Sequence, residues 1–163
     1  MPGKPYFTAD LFRWLRQLKR NNNREWFQRN KDRYHELVRD PLLCFIADFG
    51  PRLEKISPHF LADPRPVGGS MFRIYRDTRF AKDKSPYKTH AAAQFRHQAG
   101  KDVHAPGFYL HLEPGETFVG AGIWHPDSRA LAAIRELIVE DPAGWKKSIS
   151  GTRFKSEFAL GGE

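Results

Sequence analysis

Residues 107–124 read GFYLHLEPGETFVGAGIW, and this stretch decides the fold class. Phe108, Leu110 and Leu112 alternate with Tyr109, His111 and Glu113. That period of two marks a strand with one face toward a core and the other toward solvent. Pro114, Gly115 and Glu116 then form a turn, and apolar residues resume from Thr117 to Trp124. So short a connection joins antiparallel neighbours, because a parallel crossover needs a dozen residues or more. Working upstream, residues 88–97 and 70–76 read as two further strands. The sequence therefore predicts a four-stranded antiparallel meander across 70–124, with links at 77–87, 98–106 and 114–116. Gly120 and Gly122 give the last strand a small face, as Ala91 and Ala93 do the second. Such faces admit close approach by a helix or a ligand, and a helix is the commoner cause.

Helical periodicity flanks the meander. Thr8 is placed as an N-cap, with Asp10 in the first turn and Leu11, Trp14, Leu15 and Leu18 at helical spacing. Asn21, Asn22 and Asn23 interrupt that helix. A second helix carries Trp26, Phe27, Tyr34, Leu37 and Val38, and Pro41 is placed to start a third. The third presents Leu42, Phe45, Ile46, Phe49, Leu53 and Ile56, with a kink expected at Gly50 and Pro51. Cys44 lies in the apolar run LLCFI and reads as a buried, inert thiol. Residues 57–69 are rich in proline and glycine and read as a loop. Beyond the meander, Pro126, Asp127 and Ser128 open a helix bearing Leu131, Ile134, Leu137 and Ile138. Asp141 and Pro142 end it and begin another with Trp145 and Ile149. The expected fold is α+β: one domain over 1–163, with N-terminal helices over 1–56, the sheet over 70–124, and C-terminal helices over 127–150 packed on it.

Composition narrows the class. The 163 residues are 40% hydrophobic and 28% charged, as in a globular rather than a disordered chain. No apolar run is long enough to span a membrane, and the N-terminus lacks the apolar core of a secretory signal. A single cysteine excludes a disulfide framework and a cysteine-based zinc knot, and the expected location is cytoplasmic. The net charge of +8 favours polyanionic partners, or simply aids solubility.

The link between the first two predicted strands carries the site. Residues 73–90 read RIYRDTRFAKDKSPYKTH. They hold six cations, Arg73, Arg76, Arg79, Lys82, Lys84 and Lys88, with Asp77 and Asp83 among them. Phe72, Ile74, Tyr75, Phe80 and Tyr87 thread the charges and tie the segment down. Turns at Asp77 and at Asp83 would return Lys88 and His90 beside Arg73 and Arg76. Guanidinium forks and ammonium groups converging in this way suit phosphate or carboxylate. Tyr75 and Tyr87 are the expected walls, and Asp77 is expected to orient an arginine. The competing reading is an ion-pair network that stiffens the hairpin, although exposed pairs contribute little.

His111 and Glu113 share a strand face that His90 and His125 could approach, which suits an acid–base pair. There is no HExxH, no H-x-H and no cysteine partner, so no metal is expected. GxGxxG, Walker and GxSxG patterns are also missing, and no cofactor is expected.

The helix at 12–18, the run NNNREWFQRNKDRY at 21–34 and above all RIYRDTRFAKDKSPYKTH closely resemble an uncharacterised family of bacterial and fungal proteins, a domain of unknown function. Gly107, Phe108, Tyr109 and Leu110, then residues 120–124 and the helix at 135–138, fit the same pattern. Ala81 stands where that pattern has serine, so a hydroxyl there is not essential. The pattern continues past Gly161, Gly162 and Glu163, so the resemblance implies a chain lacking a C-terminal portion. By itself the apolar spacing of Phe154, Phe158 and Leu160 also fits a packed terminal segment. The resemblance carries over no catalytic residue. The expected function is recognition of nucleic acid or another polyanion. The alternatives are catalysis on a small phosphorylated or carboxylated substrate, and docking of an acidic protein.

Overall fold

The computed structural model describes residues 5–100 and 106–161. The chain divides into two compact units, Met1–Trp124 and His125–Glu163.

The first unit opens with α1 (Ala9–Arg20), whose Leu11, Trp14, Leu15 and Leu18 are fully buried. Thr8 caps it through its backbone alone: its carbonyl accepts from the Leu11 amide at 3.1 Å. Asn21 ends α1, and the Asn23 side chain accepts from the Trp26 amide at 2.9 Å to open α2 (Arg24–Arg29). Then α3 (Lys31–Tyr34) runs through a π-helical turn (His35–Arg39) directly into α4 (Asp40–Ile56). The second and third helices expected from the sequence are therefore continuous across Pro41. The wide turn explains how. It contains Leu37, the residue whose carbonyl a proline four positions on would otherwise crowd. It also holds a stripe in place. Tyr34, Val38, Leu42 and Ile46 recur every four residues, and all are buried. A helix of about 3.6 residues per turn would rotate that stripe away, and one wide turn corrects the drift. Cys44 is exposed rather than buried, because it lies on the side of α4 opposite Leu42 and Ile46.

The sheet has three antiparallel strands in the order β1–β2–β3: β1 (Ala91–Arg96), β2 (Gly107–Glu113) and β3 (Glu116–Gly122). The link expected at 98–106 lies partly outside the described residues. Gly122 closes β3 at φ 148°, where a side chain would be strained. Register sets Ala91 opposite Leu112, Ala93 opposite Leu110 and Phe95 opposite Phe108. These residues face the core with α1, the π-helical turn and α4. The small face of β1 thus serves helix packing.

The predicted first strand at 70–76 is not a strand, and the sheet is not four-stranded. This segment runs beside β1 but pairs only through isolated bridges, Met71 with Ala93 and Tyr75 with Tyr87. Four steps on one side match six on the other, so two extra residues bulge out near Thr89 and His90. The ladder breaks there. For the same reason β1 begins at Ala91 rather than Lys88.

The second unit contains α5 (Ser128–Glu140), α6 (Pro142–Ser150) and α7 (Thr152–Glu157). Asp127 accepts from the Ala130 amide at 2.7 Å and Asp141 from the Gly144 amide at 2.8 Å, so α5 and α6 each start on an aspartate cap, whereas α7 follows Gly151. Among the described residues, no helix is long and apolar enough to cross a membrane.

Candidate functional site

The sheet face turned away from the core formed with α1 and α4 carries the chemistry. On β2, alternation aligns Tyr109, His111 and Glu113 along this face. The Tyr109 hydroxyl lies 2.9 Å from His111 Nδ1, and His111 Nε2 lies 3.3 Å from Glu113 Oε2. Thr89 donates to Glu113 Oε1 at 2.9 Å, and Lys19 of α1 reaches the same oxygen at 3.9 Å. Phe118, opposite His111 on β3, stacks on the imidazole at 4.9 Å and 14°. The bulge turns His90 onto this face, its ring centroid 4.4 Å from that of His111. Among the described residues, the His90 ring has no hydrogen-bond partner.

Electrostatics follow from these neighbours. Burial pushes the Glu113 carboxyl up, but hydrogen bonds from Thr89 and His111 and the nearby His90 and Lys19 hold it below its ordinary value. Burial, then His111 and Lys88, lower the His90 pKa against the pull of Glu113. Burial, then Glu113, raises the Tyr109 phenol. A shallow open cleft borders the carboxylate, lined by Phe12 and Arg16 of α1 with Glu113 and Thr117.

The hairpin cations divide into two groups. Three are engaged inside the hairpin itself. Arg76 pairs with Asp83, which also accepts from the Ser85 amide at 2.8 Å. Arg79 forks onto Asp77 at 2.7 and 3.0 Å. Lys84 donates to the Thr78 carbonyl at 2.9 Å, closing the turn. The arginine partners and amide hydrogen bonds hold both carboxyls low, that of Asp77 at about 2. Asp77 is thus paired with Arg79. The other cations, Arg73, Lys82 and Lys88, have no carboxylate partner among the described residues. Lys82 and Arg73 are exposed, whereas Lys88 is half-buried and feels the charge of Arg73. The Lys88 amide donates to the Ile74 carbonyl at 2.7 Å, which sets Lys88 across from that segment. Its ammonium lies 5.2 Å from the centre of the Phe72 ring. Burial, and then Arg73, push its pKa down.

The two tyrosines part company. Tyr75 is exposed, but Tyr87 is 2% exposed and stacks on Phe27 at 4.1 Å, so it belongs to the core and is no wall of a site. Its backbone is clamped by Asn22, whose side-chain amide donates to the Tyr87 carbonyl at 2.8 Å and accepts from the Tyr87 amide at 3.1 Å.

Sequence reasoning found His90, His111 and Glu113 but missed Tyr109, Thr89, Phe118 and Lys19. Alternation on β2 already placed Tyr109 beside His111. No local pattern marks Lys19, which arrives from a helix.

An α+β domain with a three-stranded sheet, a basic hairpin and a His–His–Glu cluster is thus defined. The chain belongs to the conserved hypothetical protein family DUF2461, which it matches over residues 10–163. No curated protein and no solved structure matches it.

Proposed function

We propose that this domain binds a small phosphorylated or carboxylated ligand where Arg73, Lys88 and His90 meet. The observation that carries this reading is Lys88. Its ammonium is half-buried, has no carboxylate partner among the described residues, and is further destabilised by Arg73. A half-buried charge with only the face of Phe72 against it is costly. An anion that bridges Lys88 and Arg73 removes that cost, and charge-assisted hydrogen bonds hold it. Three of the six hairpin cations already serve internal partners, which favours one compact anion over a long polyanion track.

Titration with inorganic pyrophosphate, followed by amide chemical shifts, tests this. Binding is expected to perturb residues 72–74 and 88–90. Lys88→Ala and Arg73→Ala should each weaken it about tenfold or more, from the roughly 1.5–3 kcal/mol of a hydrogen bond to a charged group. Arg79→Ala should leave it unchanged. Equal losses across all six cations would refute a localised site.

A second reading keeps nucleic acid as the partner, and Phe80 favours it. This ring is 95% exposed at the hairpin tip, with the Arg79 guanidinium 5.9 Å from its centre. An exposed aromatic among cations is a stacking platform for single-stranded bases. Phe80→Ala should then weaken binding of a single-stranded oligonucleotide at low salt, with affinity falling steeply as salt rises.

A further inference from the structure

His90, His111 and Glu113 form a binding site for a divalent transition-metal ion of the zinc type, we propose, with Tyr109 and Thr89 as the groups that orient its ligands. One ligand atom from each of the three side chains lies within 4.8 Å of the other two. An ion about 2.1 Å from each would draw them to roughly 3.4 Å apart, which modest side-chain rotation supplies. Two imidazoles and one carboxylate are the donor set of open, borderline-metal sites, which keep positions free for water or substrate.

The surroundings are those that such ligands require. A metal-bound histidine usually donates its other ring N–H to an oxygen, and Tyr109 Oη lies 2.9 Å from His111 Nδ1. Thr89 pins Glu113 Oε1, leaving Oε2 turned toward His111. The His90 ring lacks a hydrogen-bond partner among the described residues, so it has a lone pair to give. Without metal, the weak 3.3 Å contact between His111 Nε2 and Glu113 fills the position. Binding replaces that contact. With Nε2 on the ion, the ring N–H lies at Nδ1, where it is donated to Tyr109.

The site goes beyond the anion-binding reading and needs neither Arg73 nor Lys88. Its failure and the failure of that reading are separable. The ligands come from one strand and a bulge, an arrangement that no short motif records.

Cobalt(II) titration of untagged, chelator-treated protein reads coordination directly, and equilibrium dialysis against zinc(II) gives stoichiometry. One ion per chain is expected, with a visible ligand-field band from low-coordinate cobalt. His90→Gln and Glu113→Gln should each abolish the band, and Tyr109→Phe should weaken affinity about 10- to 100-fold. Glutamine is close in size at both positions, and far-UV circular dichroism checks that each variant is folded. His59 and His97 form a second imidazole pair, with ring centroids 5.4 Å apart. His59→Gln should leave binding intact. Binding lost in His59→Gln, or unchanged in folded His90→Gln and Glu113→Gln, would overturn the proposal. So would the absence of stoichiometric binding.

Discussion

Replacing Asn22 by alanine should destabilise the first unit more than any change at Asn21 or Asn23. The Asn22 side chain makes two hydrogen bonds to the backbone of Tyr87, at 2.8 and 3.1 Å, across 65 residues of sequence. A typical hydrogen bond contributes about 1 kcal/mol net, but a buried group left unsatisfied costs about 1–3 kcal/mol. The Tyr87 ring is 2% exposed and stacked against Phe27, so its amide is poorly placed to find water. Losing both bonds should therefore cost about 2–4 kcal/mol. The neighbouring Asn23→Ala removes one N-cap bond and should cost only about 1 kcal/mol. Urea unfolding followed by tryptophan fluorescence reads this unit, since Trp14 and Trp26 lie in it with ring centroids 5.8 Å apart. With a slope of about 2 kcal/mol per molar, the Asn22→Ala midpoint should fall by roughly 1–2 M at unchanged slope. Asn22→Asp keeps the acceptor but sets a carboxylate oxygen against the Tyr87 carbonyl, so it should be no better than alanine at neutral pH. A loss below about 0.5 kcal/mol for Asn22→Ala would refute the clamp.

Two further outcomes follow from the geometry. A Cβ at Gly69 would overlap the backbone carbonyls of Arg65 and, at 2.6 Å, of Asp63, so Gly69→Ala should cost about 1–3 kcal/mol in the same unfolding assay. Arg79 lowers the Asp77 pKa from 3.8 to about 2, so the interaction is fully present above pH 3.8 and lost as pH falls through about 2. A carbon-detected carboxylate titration should show that low midpoint, and Arg79→Ala should return it toward the ordinary value.

Much of this structure is legible in the sequence where one residue type repeats against one environment. The buried stripe of α1 and the alternation of β2 emerged because each element has a single apolar face set by its own period. The fold departs from that reading where two segments negotiate. Residues 70–76 carry strand-like composition, but pairing depends on their partner, and the two extra residues near Thr89 and His90 break the ladder. The π-helical turn was hidden because a four-residue stripe and an ordinary helical stripe look alike over two turns. Cys44 sits in an apolar run, yet α4 is only half-covered, and position around the helix overrides local composition. At the site, His111 and Glu113 were visible as neighbours on one strand. Lys19 and Thr89 were not, because their roles exist only once α1 and the bulge are folded against β2.

The bulge beside β1 has a consequence for how this hairpin can change length. It adds two residues, an even number, so the alternation of faces survives it. Tyr87, Ala91, Ala93 and Phe95 all stay in the core. Lys88 and His90 stay on the opposite side, with His111. A single inserted or deleted residue at this point would turn a lysine and a histidine inward and a tyrosine outward, at the cost of burying charge. Insertions and deletions in pairs would spare both faces. Length variation among sequences at this point should therefore come in steps of two, whatever happens to the loop beyond it.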